Sequence, residues 1–283
     1  MLIDSHCHLY MGSWKENLPT ILRNAKENGV GTIICPGIDI ETSRKSVRIA
    51  AEHKEVFAAV GIHPHDAKNA PSNFIDKLTE LLQQPKVIAV GEIGLDFYRN
   101  ISDSDVQHDV FKKQLQLARG LDLPVIIHNR NADVEIVKVL KEFKSVKGVA
   151  HCYSSDLITA KLLMDMGLYI SFAGNLTYKN SDLPEIAKEI PLDRLLIETD
   201  SHYLAPIPHR GKQNQPAYVS HVAAKYAEIR NNSVEHIDEI ERNNFSRLFN
   251  VPTSYKIIKK TLWVEYFTVL IRKQNSYCNG IIS

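Results

Sequence analysis

Only 4 cysteines occur in the 283-residue chain (Cys7, Cys35, Cys152 and Cys278), and no two of them form a C-x-x-C pair. That excludes a disulfide framework and fits a reducing compartment. No apolar run reaches the ~18 residues of a membrane span. The N-terminus enters an apolar strand directly, without the charged and apolar regions of a signal peptide. A cytoplasmic protein with no membrane association is expected, and no obligate protein partner is evident. The formal net charge is +1, so no global basic field draws nucleic acid. Any such contact must rest on a local patch or a metal. No G-x-G-x-x-G follows the first strand, which leaves a dinucleotide-binding fold with little support. Internal repeats and low-complexity segments are also lacking.

What is present is an ordinary globular composition, 44% hydrophobic and 24% charged. Short runs rich in Ile and Val recur at 2–5, 32–35, 57–62, 87–92, 124–127, 148–151, 168–172 and 195–199. They are apolar on both faces, as buried parallel strands are. Amphipathic helical stretches alternate with them, the clearest at about 105–119, 133–143 and 157–166, the last stopped by Gly167. Eight strands alternating with helices predict an α/β protein, a (β/α)8 TIM-type barrel over residues 1–250. Residues 251–283 form a C-terminal extension of a different character. Its 256–273 stretch is basic at both ends and β-branched or aromatic between, and reads as a terminal element packed on the barrel or a tail.

The predicted strands end in chemistry. The first runs into His6 and His8, which share a face because side chains alternate along a strand. The third leads to His63 and His65, the fourth to Glu92 and Asp96, the fifth to His128, the sixth to His151, and the eighth to Glu198 and Asp200. Burying such groups unpaired is costly, so core packing does not explain them, whereas the C-terminal rim of a barrel is where active sites stand. Imidazoles supply neutral nitrogen ligands and carboxylates supply charge and bridging oxygens. One divalent metal is expected on His6, His8, Glu92 and Asp200. A second is expected on Glu92, His128 and His151, with Glu92 as the bridge. Asp200 is placed to orient a metal-bound water or take its proton. The nitrogen and oxygen donors suit Mg, Mn or Zn, one or two ions per chain. Cys7 should face away from the metal and pack.

The stretches Asp4-Ser5-His6-Cys7-His8, Gly61-Ile62-His63-Pro64-His65, Gly91-Glu92-Ile93-Gly94-Leu95-Asp96-Phe97, His128, His151-Cys152-Tyr153, Glu198-Thr199-Asp200 and His209-Arg210-Gly211-Lys212 resemble the TatD family of metal-dependent deoxyribonucleases, among the amidohydrolase-like metallo-hydrolase barrels. The resemblance spans roughly residues 1–249. It implies a one- or two-metal barrel enzyme that hydrolyses phosphodiester bonds in DNA as a 3′–5′ exonuclease. It implies His6, His8, Glu92, His128, His151 and Asp200 as ligands, and His63 beside the substrate phosphate. Two departures stand out. His202 occupies the place of a usual proline, and residues 251–283 have no counterpart.

Arg210 and Lys212, in the loop after the eighth strand, suit phosphate contact. An exposed aromatic at Phe97 or Tyr98 could stack on a base. The competing enzyme is a metallo-hydrolase of another ester or amide bond, such as that of an aminoacyl-tRNA. Glu92, where many amidase-type relatives carry a carbamylated lysine, argues against the amidase branch. A non-catalytic barrel would have lost a ligand, and none of the six positions is empty.

Overall fold

In the computed structural model, residues 1–11 and 17–252 are described; the 256–273 stretch therefore lies outside the described residues. Eight parallel strands follow one another in sheet order β1 to β8. They are β1 (Leu2–Asp4), β2 (Val30–Pro36), β3 (Val56–Val60), β4 (Val87–Asp96), β5 (Val125–Arg130), β6 (Gly148–Ala150), β7 (Leu168–Phe172) and β8 (Leu195–Ile197). The helices between and after them are α1 (Leu18–Glu27), α2 (Ile40–Glu52), α3 (Phe74–Leu82), α4 (Ser104–Gly120), α5 (Asp133–Glu142), α6 (Leu157–Asp165), α7 (Leu183–Glu189), α8 (Val219–Ile229) and α9 (Val234–Phe249). This is the (β/α)8 barrel expected from the sequence. No helix among the described residues is long and apolar enough to cross a membrane.

Two apolar layers follow from strand alternation. Val125, Ile127, Ala150, Ile170 and Ile197 face the surrounding helices. Inside, each strand contributes one residue to a floor: Ile3, Ile34, Ala59, Ala89, Ile126, Val149, Tyr169 and Leu196. Phe245, Leu248 and Phe249 of α9 pack against this floor from below. The barrel is a packed core there, and only its upper mouth is left for chemistry.

The sheet closes where β8 meets the continuation of β1. Ser5 N donates to Ile197 O, Asp200 N to His6 O, and His8 N to Ser201 O, at 3.1, 3.0 and 3.1 Å. Two buried carboxylates bind the same seam. Asp4 accepts from the Thr199 amide and hydroxyl at 2.8 and 2.6 Å. Glu241 of α9 accepts from Ile3 N and Ile197 N at 3.3 and 3.1 Å.

β4 runs longer than its apolar stretch predicts, because pairing with β5 continues from Ile93↔Ile127 to Asp96↔Arg130. A register shift lies between Val90 and Ile93. Below it the inward row holds Ala89; above it Ile93 and Leu95 face the helices, so Glu92 and Asp96 turn inward. One irregularity thus converts a core strand into a strand that carries carboxylates to the mouth. Gly94 sits where a Cβ would lie 1.9 Å from the His128 carbonyl, at φ +147°, so only glycine lets β4 and β5 meet above the shift.

Candidate metal centre

Glu92 stands at the middle of the mouth, buried, with its two oxygens facing different imidazoles. Oε2 lies 3.3 Å from His6 Nε2 and 3.4 Å from His8 Nε2. Those two nitrogens are 3.2 Å apart, and Asp200 Oδ1 is 3.9 and 3.7 Å from them. Oε1 lies 2.9 Å from His151 Nε2, 3.0 Å from His128 Nδ1 and 3.3 Å from His63 Nε2. Donor atoms about 2.1 Å from a tetrahedral cation stand about 3.4 Å apart, so these spacings fit a divalent cation on either side of Glu92. Three overlapping sets have donor atoms within 4.8 Å of one another: His6, His151 and Asp200; His6, His8 and Glu92; and His63, Glu92 and His128.

The outer ring nitrogens decide which inner ones offer a lone pair. His151 Nδ1–H donates to Glu198 Oε1 at 3.1 Å, and that oxygen also accepts from Cys152 N at 2.8 Å. His128 Nε2–H donates to Asp96 Oδ2 at 3.2 Å, which also accepts from His65 Nε2 at 2.8 Å. Asp96 is itself fixed, its other oxygen taking the Arg99 amide and its own amide donating to Gln107. His8 Nδ1 shares a hydrogen bond with Tyr10 Oη at 2.9 Å. His6 has no partner on Nδ1 and is held by its ring, stacked on His151 at 3.9 Å between centroids. Carboxylates behind histidines fix the tautomer and raise ligand basicity.

His63 differs. Its Nδ1 accepts the His65 amide at 3.1 Å, so the proton of the neutral ring sits on Nε2. Although its spacing matches a ligand, His63 presents an N–H donor to the mouth. Burial pushes its pKa down to about 4, so the ring is neutral at pH 7. Burial alone would raise the Glu92 carboxyl, but His151, His63 and His128 outweigh it and hold Glu92 well below the usual range. Burial likewise opposes the charged form of His151, yet Glu92 and Glu198 hold its pKa well above 6.5. These pairings keep protons where a cation would displace them.

Asp200 follows β8 with φ +50° and a partly accessible side chain. The Asp4–Thr199 clasp lies on one side of it. On the other, buried Asn214 donates to the Thr199 and Tyr203 carbonyls at 2.8 and 2.7 Å. Arg210 and Lys212 are exposed and lie outside the metal-donor sets; the Arg210 guanidinium rests 4.5 Å from the centre of the Tyr178 ring. His202 is half-buried beside His8 and Asp200, its pKa lowered by burial first and by His8 second, and it joins none of the donor sets among the described residues. Phe97 packs at the edge of the core, while Tyr98 is exposed. Cys7 is fully buried in the outer layer, away from the donors.

The roles of Asp96, Glu198, Asn214 and the Asp4–Thr199 clasp were not assigned from the sequence. For two of them a signal exists. Asp96 lies four residues after Glu92 and Glu198 two before Asp200, even spacings that share a strand face.

The family model for TatD related DNase matches residues 3–250. A metal-dependent hydrolase of Bacillus subtilis, YabD, of uncharacterized activity, is 40% identical over 254 residues, covering 89% of this chain and all of that protein. A protein of Edwardsiella piscicida named 3′-5′ ssDNA/RNA exonuclease TatD is 30% identical over 259 residues, covering 88% of this chain and 100% of its own. Among solved structures, the TatD homologue YjjV of Escherichia coli superposes with a TM-score of 0.83 at 31% identity, covering 89% of this chain and 98% of that one. The barrel, its buried donors and these matches lead to one conclusion: the chain belongs to the TatD family of metal-dependent hydrolases.

Proposed function

We propose that this protein hydrolyses phosphodiester bonds in DNA, as a 3′–5′ exonuclease, with one or two divalent cations (Mg, Mn or Zn). His6, His8, Glu92 and Asp200 would hold one, and Glu92, His128 and His151 the second. The observation that carries the reading is the division of Glu92, one oxygen toward His6 and His8 and the other toward His128 and His151. The Edwardsiella relative named as an exonuclease supports DNA as the substrate class. The catalytic unit is residues 1–250, and no role is assigned to residues 251–283. We place the activity in the cytoplasm, since Cys7, Cys35 and Cys152 are free thiols, as a reducing compartment keeps them.

When bound, the cations acidify a water molecule and polarise the phosphoryl oxygen. Among the described residues Asp200 is the only partly accessible carboxylate beside the His6–His8 pair, so it takes the proton as the water oxygen attacks phosphorus. His63 donates its Nε2–H to a non-bridging phosphoryl oxygen, where negative charge grows. The bond from phosphorus to the leaving sugar oxygen breaks, and that oxygen recovers a proton from Asp200 or solvent. Glu198 and Asp96 keep His151 and His128 oriented throughout.

The test is cleavage of an end-labelled single-stranded oligonucleotide by metal-stripped enzyme with Mg, Mn or Zn restored. Asp200→Asn should bind metal, stay folded and lose about 10²- to 10⁴-fold in turnover. A near-normal rate in that variant would remove Asp200 from the chemistry. Absence of DNA cleavage by metal-loaded wild type would refute the nuclease reading and direct the search to ester substrates such as aminoacyl-tRNA.

A further inference from the structure

Above the donor cluster, on the β4–β5 side, stands a cation without a carboxylate. Arg130 ends β5, two residues beyond His128, so it lies on the same inward row about 6.6 Å farther up the strand. Asp96 of β4 pairs with Arg130, and the Phe97 amide donates to the Arg130 carbonyl at 2.9 Å, so backbone bonds fix this corner. Tyr98 follows two residues after Asp96. The Arg130 guanidinium lies 4.0 Å from the centre of the Tyr98 ring. Both side chains are exposed, Tyr98 to 61%. Among the described residues Arg130 makes no salt bridge, and its guanidinium hydrogens are left for a ligand.

An exposed tyrosine stacked on an arginine is a poor way to bury apolar surface. It is a good way to build a flat, positively charged plate. Such a plate offers a face to an aromatic base and a fork of N–H groups to a phosphate. Its place, directly above His128 and Asp96, is where the nucleotide adjoining the scissile phosphate would lie. A base can stack there only if its face is free, and inside a duplex both faces of every base are covered, one being free only at the terminal pair.

We propose that Tyr98 and Arg130 form a nucleotide subsite that stacks the unpaired base next to the scissile bond and holds its phosphate, giving the enzyme a preference for single strands. This rests on the phosphodiesterase reading above. Arg210 over Tyr178, after β7 and β8, repeats the same pairing on another side of the mouth.

The experiment has two arms on the full-length protein. The first is fluorescence anisotropy of a labelled single-stranded DNA decamer, and of its duplex, with metal-free protein. The second is steady-state cleavage of the same decamer. Tyr98→Ala should raise Kd and KM for the single strand by about 5- to 150-fold with kcat much less affected, and erase the preference over duplex. Tyr98→Phe, which keeps the ring, should restore both. Arg130→Lys, which keeps the charge and loses the plane, should recover only part of what Arg130→Ala loses. The subsite is overturned if Tyr98→Ala leaves Kd and KM unchanged, if Tyr98→Phe is as damaged as Tyr98→Ala, or if wild type binds duplex as tightly as single strand. Failure of the function reads differently. Wild type that hydrolyses bis(4-nitrophenyl) phosphate but neither cleaves nor binds DNA overturns both proposals, whereas wild type that binds the strand through Tyr98 without cleaving it overturns the nuclease alone.

Discussion

Removing the Glu241 carboxylate should open the barrel at its seam. Glu241 is fully buried on α9, and each of its oxygens accepts one backbone amide, Ile3 N of β1 and Ile197 N of β8. Glu241→Ala strands both amides away from water, at about 1–3 kcal/mol each. The expected loss is thus about 2–6 kcal/mol, large against a typical total of about 5–15 kcal/mol. Glu241→Gln keeps one acceptor but turns an NH₂ on the other amide, where even a protonated carboxyl offers an oxygen lone pair, so it should lose about 1–3 kcal/mol. The pH dependence carries a sign. Burial first, then the charges of Asp238 and Asp4, raise the Glu241 carboxyl well above 4.5 against the pull of its two amide donors. Between 4.5 and that raised value the folded chain holds a proton that the unfolded chain has released. Stability from this group is therefore full at low pH and falls as pH rises, by at most about 1.4 kcal/mol per unit. Urea unfolding at pH 5, 6 and 7 should show Glu241→Ala below Glu241→Gln below wild type, with the gap between Gln and wild type narrowing as pH rises. A Glu241→Ala loss under about 1 kcal/mol, or a gap that widens with pH, would refute the account of the seam.

Three further outcomes are expected. Glu92→Ala removes the carboxylate that faces both imidazole sets, so elemental analysis should show reduced metal per chain; unchanged stoichiometry would exclude a bridging role. Asp96→Asn leaves every metal donor in place but disturbs His128, and should weaken metal binding about 10- to 100-fold by competitive chelator titration. Phe245→Ala empties part of the plug beneath the barrel floor and should cost about 3–5 kcal/mol in chemical denaturation, with bound metal retained under native conditions.

Much of this architecture was legible in the chain. The alternation of apolar strands with amphipathic helices, and the histidines and carboxylates that follow the strands, depend on local periodicity, which sequence displays directly. His6 with His8, His128 after Ile126, and His151 after Val149 needed only the two-residue period. Glu92 did not obey it: counted from Ala89 it belongs on the outer face, and the register shift after Val90 turns it inward. Nor did spacing reveal which nitrogen of each imidazole faces the centre. His63 and His151 look alike as histidines after strands, yet the His65 amide makes one a donor and the Glu198 carboxylate makes the other a lone-pair ligand.

The sequence by itself determined the eight β/α units, the residue types at the mouth and the family to which they point, because each is written within a few neighbouring residues. Only the tertiary structure decided which distant groups meet. Asp4 reaches Thr199 across 195 residues, and Glu241 reaches Ile3 across 238, because closing the barrel brings β1 against β8. Those closures set the ligand spacing around Glu92, and burial then fixed the charge each group carries.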